Sequence, residues 1–272
     1  MLLNPLPLNL DLELTNSCNL RCKMCMRSHM KDKVGFMTDD TFFKAFEGGV
    51  PYAVKLNWRG ESLLHSRICE YVAIAKRLGV IDVALNTNGI LLTPDMAYRL
   101  AQAGLDRLII SVDGATKLTY ETIREGADFA VLYKNIIGMN GVYADLDKRP
   151  QVTIQMCQQE LNQHEVALWH HTFGIYADRL RIGKLFDPQG KYGYKKAIPR
   201  SCGQPWQRIT VDWKGNIYPC PSDYLGKVYL GNVHDTTIKS AWHSERMNKI
   251  RQSLTSQGRS GHKLCENCSA YC

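Results

Sequence analysis

Apolar and polar residues alternate strictly over Leu8-Asn9-Leu10-Asp11-Leu12-Glu13-Leu14, the period-two pattern of a strand with one buried face. Short apolar or β-branched runs at Ala53–Trp58, Ile81–Asn86, Arg107–Val112, Val152–Met156 and Arg179–Leu185 predict further strands. Between them lie amphipathic stretches predicted as helices: Asp39–Gly48, Ser66–Leu78, Pro94–Ala103, Phe129–Tyr143 and Gln163–Ala177. Helix punctuation agrees. Thr38 precedes the acids Asp39-Asp40, Thr93-Pro94 supplies a cap and a first-turn proline, and Gly79 and Gly104 follow helix ends. Strands separated by helices predict right-handed βαβ units on a parallel sheet. Six such units are too few for an eight-fold barrel, and fit an α/β fold built as an open, partial (β/α)6 TIM-like barrel over residues 1–186.

After Phe186 the pattern changes. Residues 187–205 hold three prolines, three glycines and a run of basic side chains, which reads as a linker or lid. Gln207–Asp212 and Asn216–Tyr218 predict a hairpin turned at Lys214-Gly215, and Thr236–Arg251 a helix capped by Asp235. Residues 206–272 thus form a small α+β domain. No internal repeat or low-complexity tract interrupts the chain.

Composition narrows the function classes. The 272 residues are 44% apolar and 22% charged, ordinary globular values. No apolar run reaches membrane-spanning length, and Met1-Leu2-Leu3-Asn4-Pro5 lacks the features of a secretory signal, so a soluble cytoplasmic protein is expected. In that reducing compartment ten cysteines point to metal or catalysis rather than to disulfides. Cys69 and Cys157 stand apart from the rest in apolar surroundings and read as small buried hydrophobes. The net charge is +8, and Arg181, Lys184, Lys191, Lys195, Lys196 and Arg200 concentrate much of it in one segment against the single acid Asp187. Such a segment suits phosphate groups, or simply a solvated connection.

The chemistry concentrates in Cys18-Asn19-Leu20-Arg21-Cys22-Lys23-Met24-Cys25, directly after the first predicted strand. Three thiolates on one short loop can converge on a metal centre. A four-iron cluster needs four ligands, so three leave one iron open, as catalytic metal sites require; zinc, which also takes thiolates, is the competing occupant. The C-x3-C-x2-C spacing resembles the signature of the radical S-adenosylmethionine (SAM) enzymes. The resemblance implies a [4Fe-4S] cluster whose open iron chelates SAM. The cluster's electron then breaks the sulfonium bond to give a 5′-deoxyadenosyl radical that removes hydrogen from an unactivated carbon. Met24 stands where the family commonly has an aromatic residue against adenine, and a thioether can pack on a purine.

Trp58-Arg59-Gly60-Glu61-Ser62 is similar to the family's segment that grips the SAM amino group, with Gly60 and Glu61 kept. By the same resemblance Ser111 meets the SAM ribose, and Arg124 its carboxylate or the substrate. Asn88, Asp113 and Gln155 are further candidates at strand ends, where barrel enzymes keep their sites. Asn-Gly and Asp-Gly are also turn formers, so Asn88 and Asp113 have an equal structural reading. In the C-terminal part Cys202, Cys220, Cys265, Cys268 and Cys272 resemble the auxiliary-cluster extension called SPASM, or its shortened form, twitch. Cys202, Cys220, Cys265 and Cys268 are expected to hold one auxiliary [4Fe-4S] cluster, Cys202 reaching in from the linker, with Cys272 a substitute; a zinc ribbon is the alternative.

The expectation is an enzyme, an oxidoreductase or isomerase, that oxidises or epimerises a sugar- or aminocyclitol-type small molecule. It would draw electrons from a donor such as flavodoxin or ferredoxin. Alternatives are a peptide substrate, a nucleotide or nucleic acid met by the basic segment, or a non-enzymatic iron–sulfur or zinc scaffold.

Overall fold

The computed structural model describes residues 3–185 and 202–268, so most of the basic segment, and Cys272, lie outside the described residues. Along the chain run β1 (Asn9–Leu12), α1 (Asp39–Lys44), β2 (Ala53–Lys55), α2 (Ile68–Arg77), β3 (Asp82–Thr87), α3 (Pro94–Gln102), β4 (Arg107–Ser111), α4 (Lys117–Ile123) and α5 (Phe129–Ala144). They are followed by β5 (Gln151–Gln158), α6 (Val166–Phe173), β6 (Arg179–Lys184), β7 (Arg208–Val211), β8 (Asn216–Tyr218), β9 (Gly231–Asn232), α7 (Ile238–Trp242) and α8 (Glu245–Gln257). This is the α/β alternation of a partial TIM-like barrel followed by a small α+β part. Among the described residues, no helix is long and apolar enough to cross a membrane.

Two units divide the chain. The first comprises residues 14–34 and 55–185. Its strands pair in parallel in the order β6-β5-β4-β3, and just past β2 the backbone of Leu56 donates to the Ala84 carbonyl at 2.9 Å. Alternation sorts the side chains of this sheet into two faces. Leu108, Ile110, Ile154 and Met156 are buried on one, together with Trp169 and Phe173 of α6. Trp169 fixes that helix by donating its indole N–H to the Val112 carbonyl at 2.9 Å. The opposite face presents Ser111, Gln155 and Arg181, which are register partners across β4, β5 and β6.

The second unit comprises residues 1–13, 35–54 and 186–272. Here β1 pairs in parallel with β7, and β7, β8 and β9 follow antiparallel. The hairpin turns at Gly215, whose φ of 87° favours glycine. Asp212 ties the turn, accepting from the backbones of Lys214 and Asn216 at 2.9 Å each and from the Tyr218 hydroxyl at 3.2 Å.

The helices differ from the sequence expectation in two places. The stretch Thr236–Arg251 is broken into α7 and α8, because Thr237 caps the first and Ser244 the second, accepting from Ser240 and Met247. A capping serine offers the backbone a local alternative to continuing the turn. Arg251 then reaches back to the Trp242 and Pro205 carbonyls at 2.8 and 2.9 Å. The unpredicted α4 owes its start to Thr116, which accepts from Thr119, and to Glu165.

Glu165 is buried and closes the N-terminus of α4 from outside the helix. It accepts from the backbones of Ala115 (2.6 Å) and Thr116 (3.2 Å) and from the hydroxyls of Thr116 (2.5 Å) and Thr119 (2.6 Å). Replacing it with alanine leaves these donors unmet, and should cost about 2–4 kcal/mol of stability in urea unfolding. Glu165→Gln, which keeps part of the set, should cost less; an alanine variant as stable as the parent would contradict this account of α4.

Candidate functional site

The cysteine loop that follows β1 is held by its own backbone and by the end of α4. The Cys25 N–H donates to the Cys22 carbonyl at 3.0 Å, and the Leu20 N–H lies 3.4 Å from Cys18 Sγ. Arg21 donates to the Glu125 carbonyl at 2.8 Å and Lys23 to that of Ile123 at 2.9 Å. These two bonds bracket Cys22 and set it beside Arg124. Arg124 Nη1 accordingly lies 4.0 Å from Cys22 Sγ, while Nη2 pairs with Asp113 Oδ2 at 2.7 Å.

Both charges of that pair are buried, Arg124 at 8% exposure and Asp113 at 0%. Asp113 Oδ1 also accepts the Cys157 backbone N–H at 2.6 Å. Burial works against the Arg124 charge, but Asp113 and Cys22 outweigh it and keep the guanidinium protonated. Burial likewise pushes the Cys22 thiol up to about 11, with Arg124 pulling the other way and Cys25 and Cys18 adding to the rise. Cys18 rises for the same first reason.

Gly60 explains how the end of β2 reaches this loop. A Cβ there would strike the carbonyl oxygens of Thr15 and Ser17, so the position demands glycine. The next residue donates its N–H to Ser17 at 2.8 Å. The Glu61 carboxylate turns inward: Oε1 accepts from the Thr87 hydroxyl at 2.8 Å and the Leu63 backbone at 3.1 Å, and Oε2 from the Asn88 backbone at 2.8 Å. Burial raises its pKa against those bonds. Glu61 therefore joins the ends of β2 and β3.

Asn88 in turn donates its amide to Asn19 Oδ1 at 2.8 Å, linking β3 to the cysteine loop. Ser111 and Gln155 bond each other across β4 and β5 at 3.1 Å. Met24 is half-buried on the loop itself. The structure thus gathers Cys18, Cys22, Cys25, Arg124, Gly60, Glu61 and Asn88 by direct bonds, and places Ser111 with Gln155 on a shared strand row. Asn19 and Tyr120 escaped the sequence reading. Asn19 had a signal, its place inside the cysteine motif. Tyr120 had none, because α4 was not predicted; its hydroxyl is buried without a partner among the described residues, as is Arg124 Nε.

In the other unit Cys202, Cys220, Cys265 and Cys268 line one small hollow together with buried Arg259. The Cys268 N–H donates to the Cys265 carbonyl at 3.0 Å, and Arg259 Nη1 donates to that of Cys268 at 2.5 Å. Burial raises Cys265 to about 12 and raises Cys220 as well. Among the described residues no three His, Cys, Asp or Glu side chains gather as a single-ion site; a cubane binds its thiolates at separate corners and does not ask for that. Three thiols beside two unpartnered polar atoms, and four thiols around a hollow, fit a cofactor-binding cluster and a fully ligated one.

Comparison with known proteins gives the same division. Residues 12–138 match the model of the radical SAM superfamily, and residues 202–269 that of an iron–sulfur cluster-binding domain, SPASM. The chain is similar to the tungsten-containing aldehyde ferredoxin oxidoreductase cofactor-modifying protein of Pyrococcus furiosus, at 35% identity over 38% of this chain and 30% of the relative. It is 33% identical to the GTP 3′,8-cyclase of Alkaliphilus oremlandii over 46% of this chain and 41% of the relative. The matched stretch is thus under half the length of these two curated relatives. A third, the S-adenosyl-L-methionine-dependent 2-deoxy-scyllo-inosamine dehydrogenase of Niallia circulans, is 22% identical over 96% of this chain and 92% of its own. The crystal structure of BtrN in complex with AdoMet and 2-DOIA shares the fold, with a TM-score of 0.69, 21% identity and coverage of 98% and 94%.

Only a thiolate alkylates readily. In metal-free protein near neutral pH, iodoacetamide should therefore label Cys22 and Cys265 far more slowly than the same cysteines in the unfolded chain. Labelling should accelerate as the pH passes about 11 for Cys22 and about 12 for Cys265. Peptide mapping by mass reads both rates; native labelling as fast as unfolded labelling would contradict the assigned burial.

Proposed function

We propose, since the chain belongs to the radical SAM superfamily and carries a SPASM iron–sulfur domain, that it is a SAM-cleaving oxidoreductase acting on a polyhydroxylated, aminocyclitol-like small molecule. The observation that carries the proposal is the three-thiol loop with Arg124 fixed opposite Cys22, in a chain that also holds four thiols around a separate hollow. When bound, the [4Fe-4S] cluster and SAM supply a carbon-centred radical oxidant for an unactivated C–H bond.

The chain's own residues hold and orient. Cys18, Cys22 and Cys25 provide three corners and leave the fourth iron open. Arg124, kept charged by Asp113, stands beside that cluster with Nε free to meet an anionic group such as the methionine carboxylate. Gly60 lets the β2 end lie against the loop, Glu61 and Asn88 lock it there, and Ser111 with Gln155 offers hydroxyl-binding groups. Cys202, Cys220, Cys265 and Cys268 would hold the second cluster, which suits an oxidation by providing an electron acceptor. A flavodoxin- or ferredoxin-type donor would reduce the first.

The dehydrogenase relative, aligned over nearly the whole of both chains, supports an aminocyclitol-like substrate and oxidation rather than epimerisation. The GTP cyclase relatives favour a second reading, a purine nucleotide, but they align over less than half of the chain.

Anaerobically reconstituted protein with strong reductant should release 5′-deoxyadenosine from SAM, and replacing Cys18, Cys22 and Cys25 together with alanine should abolish it. Cys220→Ala should keep SAM cleavage while losing oxidised product. Cleavage persisting in the triple variant would sink the assignment, and turnover of GTP but of no cyclitol would favour the nucleotide.

A further inference from the structure

The site residues Ser111 and Gln155 belong to a longer row. Ser111 of β4 is the register partner of Gln155 of β5, and Gln155 that of Arg181 of β6. Register partners on parallel strands point to the same face. Arg181 therefore stands on the face that carries the Ser111–Gln155 hydrogen bond, opposite the face where Met156 and Ile154 are buried.

Three observations separate Arg181 from an ordinary surface arginine. It is exposed and, among the described residues, has no carboxylate partner. The acids that could compete are committed elsewhere: Asp113 to Arg124, Asp82 to Arg107 and Asp178 to Arg149. The next residue along β6 on this face is Gly183, register partner of Cys157, and a Cβ built there would meet nothing within 4 Å among the described residues. Among the described residues an unneutralised guanidinium thus borders open space at the end of the polar row. Two residues earlier on β6, Arg179, the partner of Thr153, adds a second exposed positive charge on the same face.

A guanidinium presents a planar fork of donors matched to carboxylate and phosphate oxygens. A neutral polyol would be served by Ser111 and Gln155 alone. We propose that the substrate bears an anionic oxygen group, a phosphate or a carboxylate, and that Arg181 binds it at the end of the Ser111–Gln155 row. The inference rests on the small polyhydroxylated substrate proposed above and narrows it to an acidic member of that class. The chain's net charge of +8 would draw such a molecule in.

The test is equilibrium binding by calorimetry on cluster-loaded protein with SAM and no reductant. The probes are inositol monophosphate and glucuronate against neutral inositol and glucose, with the parent, Arg181→Gln and Arg181→Lys. One of the anionic probes should bind roughly 10- to 100-fold more tightly than its neutral counterpart, the range expected of a charged hydrogen bond. Arg181→Gln should erase that preference and leave neutral binding unmoved, and Arg181→Lys should restore part of it. Whichever anion binds tells phosphate from carboxylate. Equal affinity for neutral and anionic probes, no binding of either anion, or a preference untouched by Arg181→Gln overturns the proposal. Because no turnover is involved, a protein that cleaves SAM but ignores anions sinks this inference alone, and one that binds anions through Arg181 but never cleaves SAM sinks the enzymatic assignment alone.

Discussion

The arrangement of the first site depends on two backbone hydrogen bonds, from the Arg21 N–H to the Glu125 carbonyl and from the Lys23 N–H to the Ile123 carbonyl, that hold the cysteine loop against the end of α4. They fix which side chain faces Cys22. The Arg124 guanidinium cannot sit there uncompensated at 8% exposure, so Asp113 is drawn in at 2.7 Å. Removing one member of such a buried pair costs about 3–5 kcal/mol, because the other charge is stranded. Asp113 in turn holds the backbone of Cys157, and Glu165 holds the start of the helix that delivers Arg124. A positive charge locked beside the Cys22 side chain follows from backbone hydrogen bonds rather than from a flexible surface contact.

The two cysteine sets ask for different surroundings. The first has three thiols with polar groups left unpartnered nearby, which suits a centre that must accept a further ligand. The second has four thiols and a buried arginine whose hydrogen bond goes to the backbone of the loop carrying Cys268. A fixed cation beside a thiolate-ligated cluster would offset part of that cluster's negative charge.

Much of this was legible in the sequence. Alternation from Leu8 to Leu14 and the capped helices after Thr38 and Thr93 are local signals, and β1, α1 and α3 formed where those signals stand. The cysteine spacing carried the chemistry because ligand geometry constrains neighbours in sequence. What the sequence did not carry is long-range. Asp113 pairs with Arg124 eleven positions later, Glu165 caps a helix 49 residues upstream, and Asn88 meets Asn19 across 69 residues. None of these leaves a periodic trace. The Thr236–Arg251 helix failed for a different reason: periodicity runs through His243-Ser244, and only the Ser244 cap shows that the backbone breaks there. Arg181 was visible merely as one of several basic residues until strand register set it beside Gln155.

The central claim is that one chain holds two iron–sulfur clusters, one on three thiolates and one on four. It is tested most directly by counting iron and acid-labile sulfide per chain after anaerobic reconstitution, in the parent and in the Cys18, Cys22 and Cys25 triple-alanine variant. The account predicts about eight irons falling to about four. About four falling to none, with zinc retained, would contradict it and make the C-terminal thiols a structural zinc site.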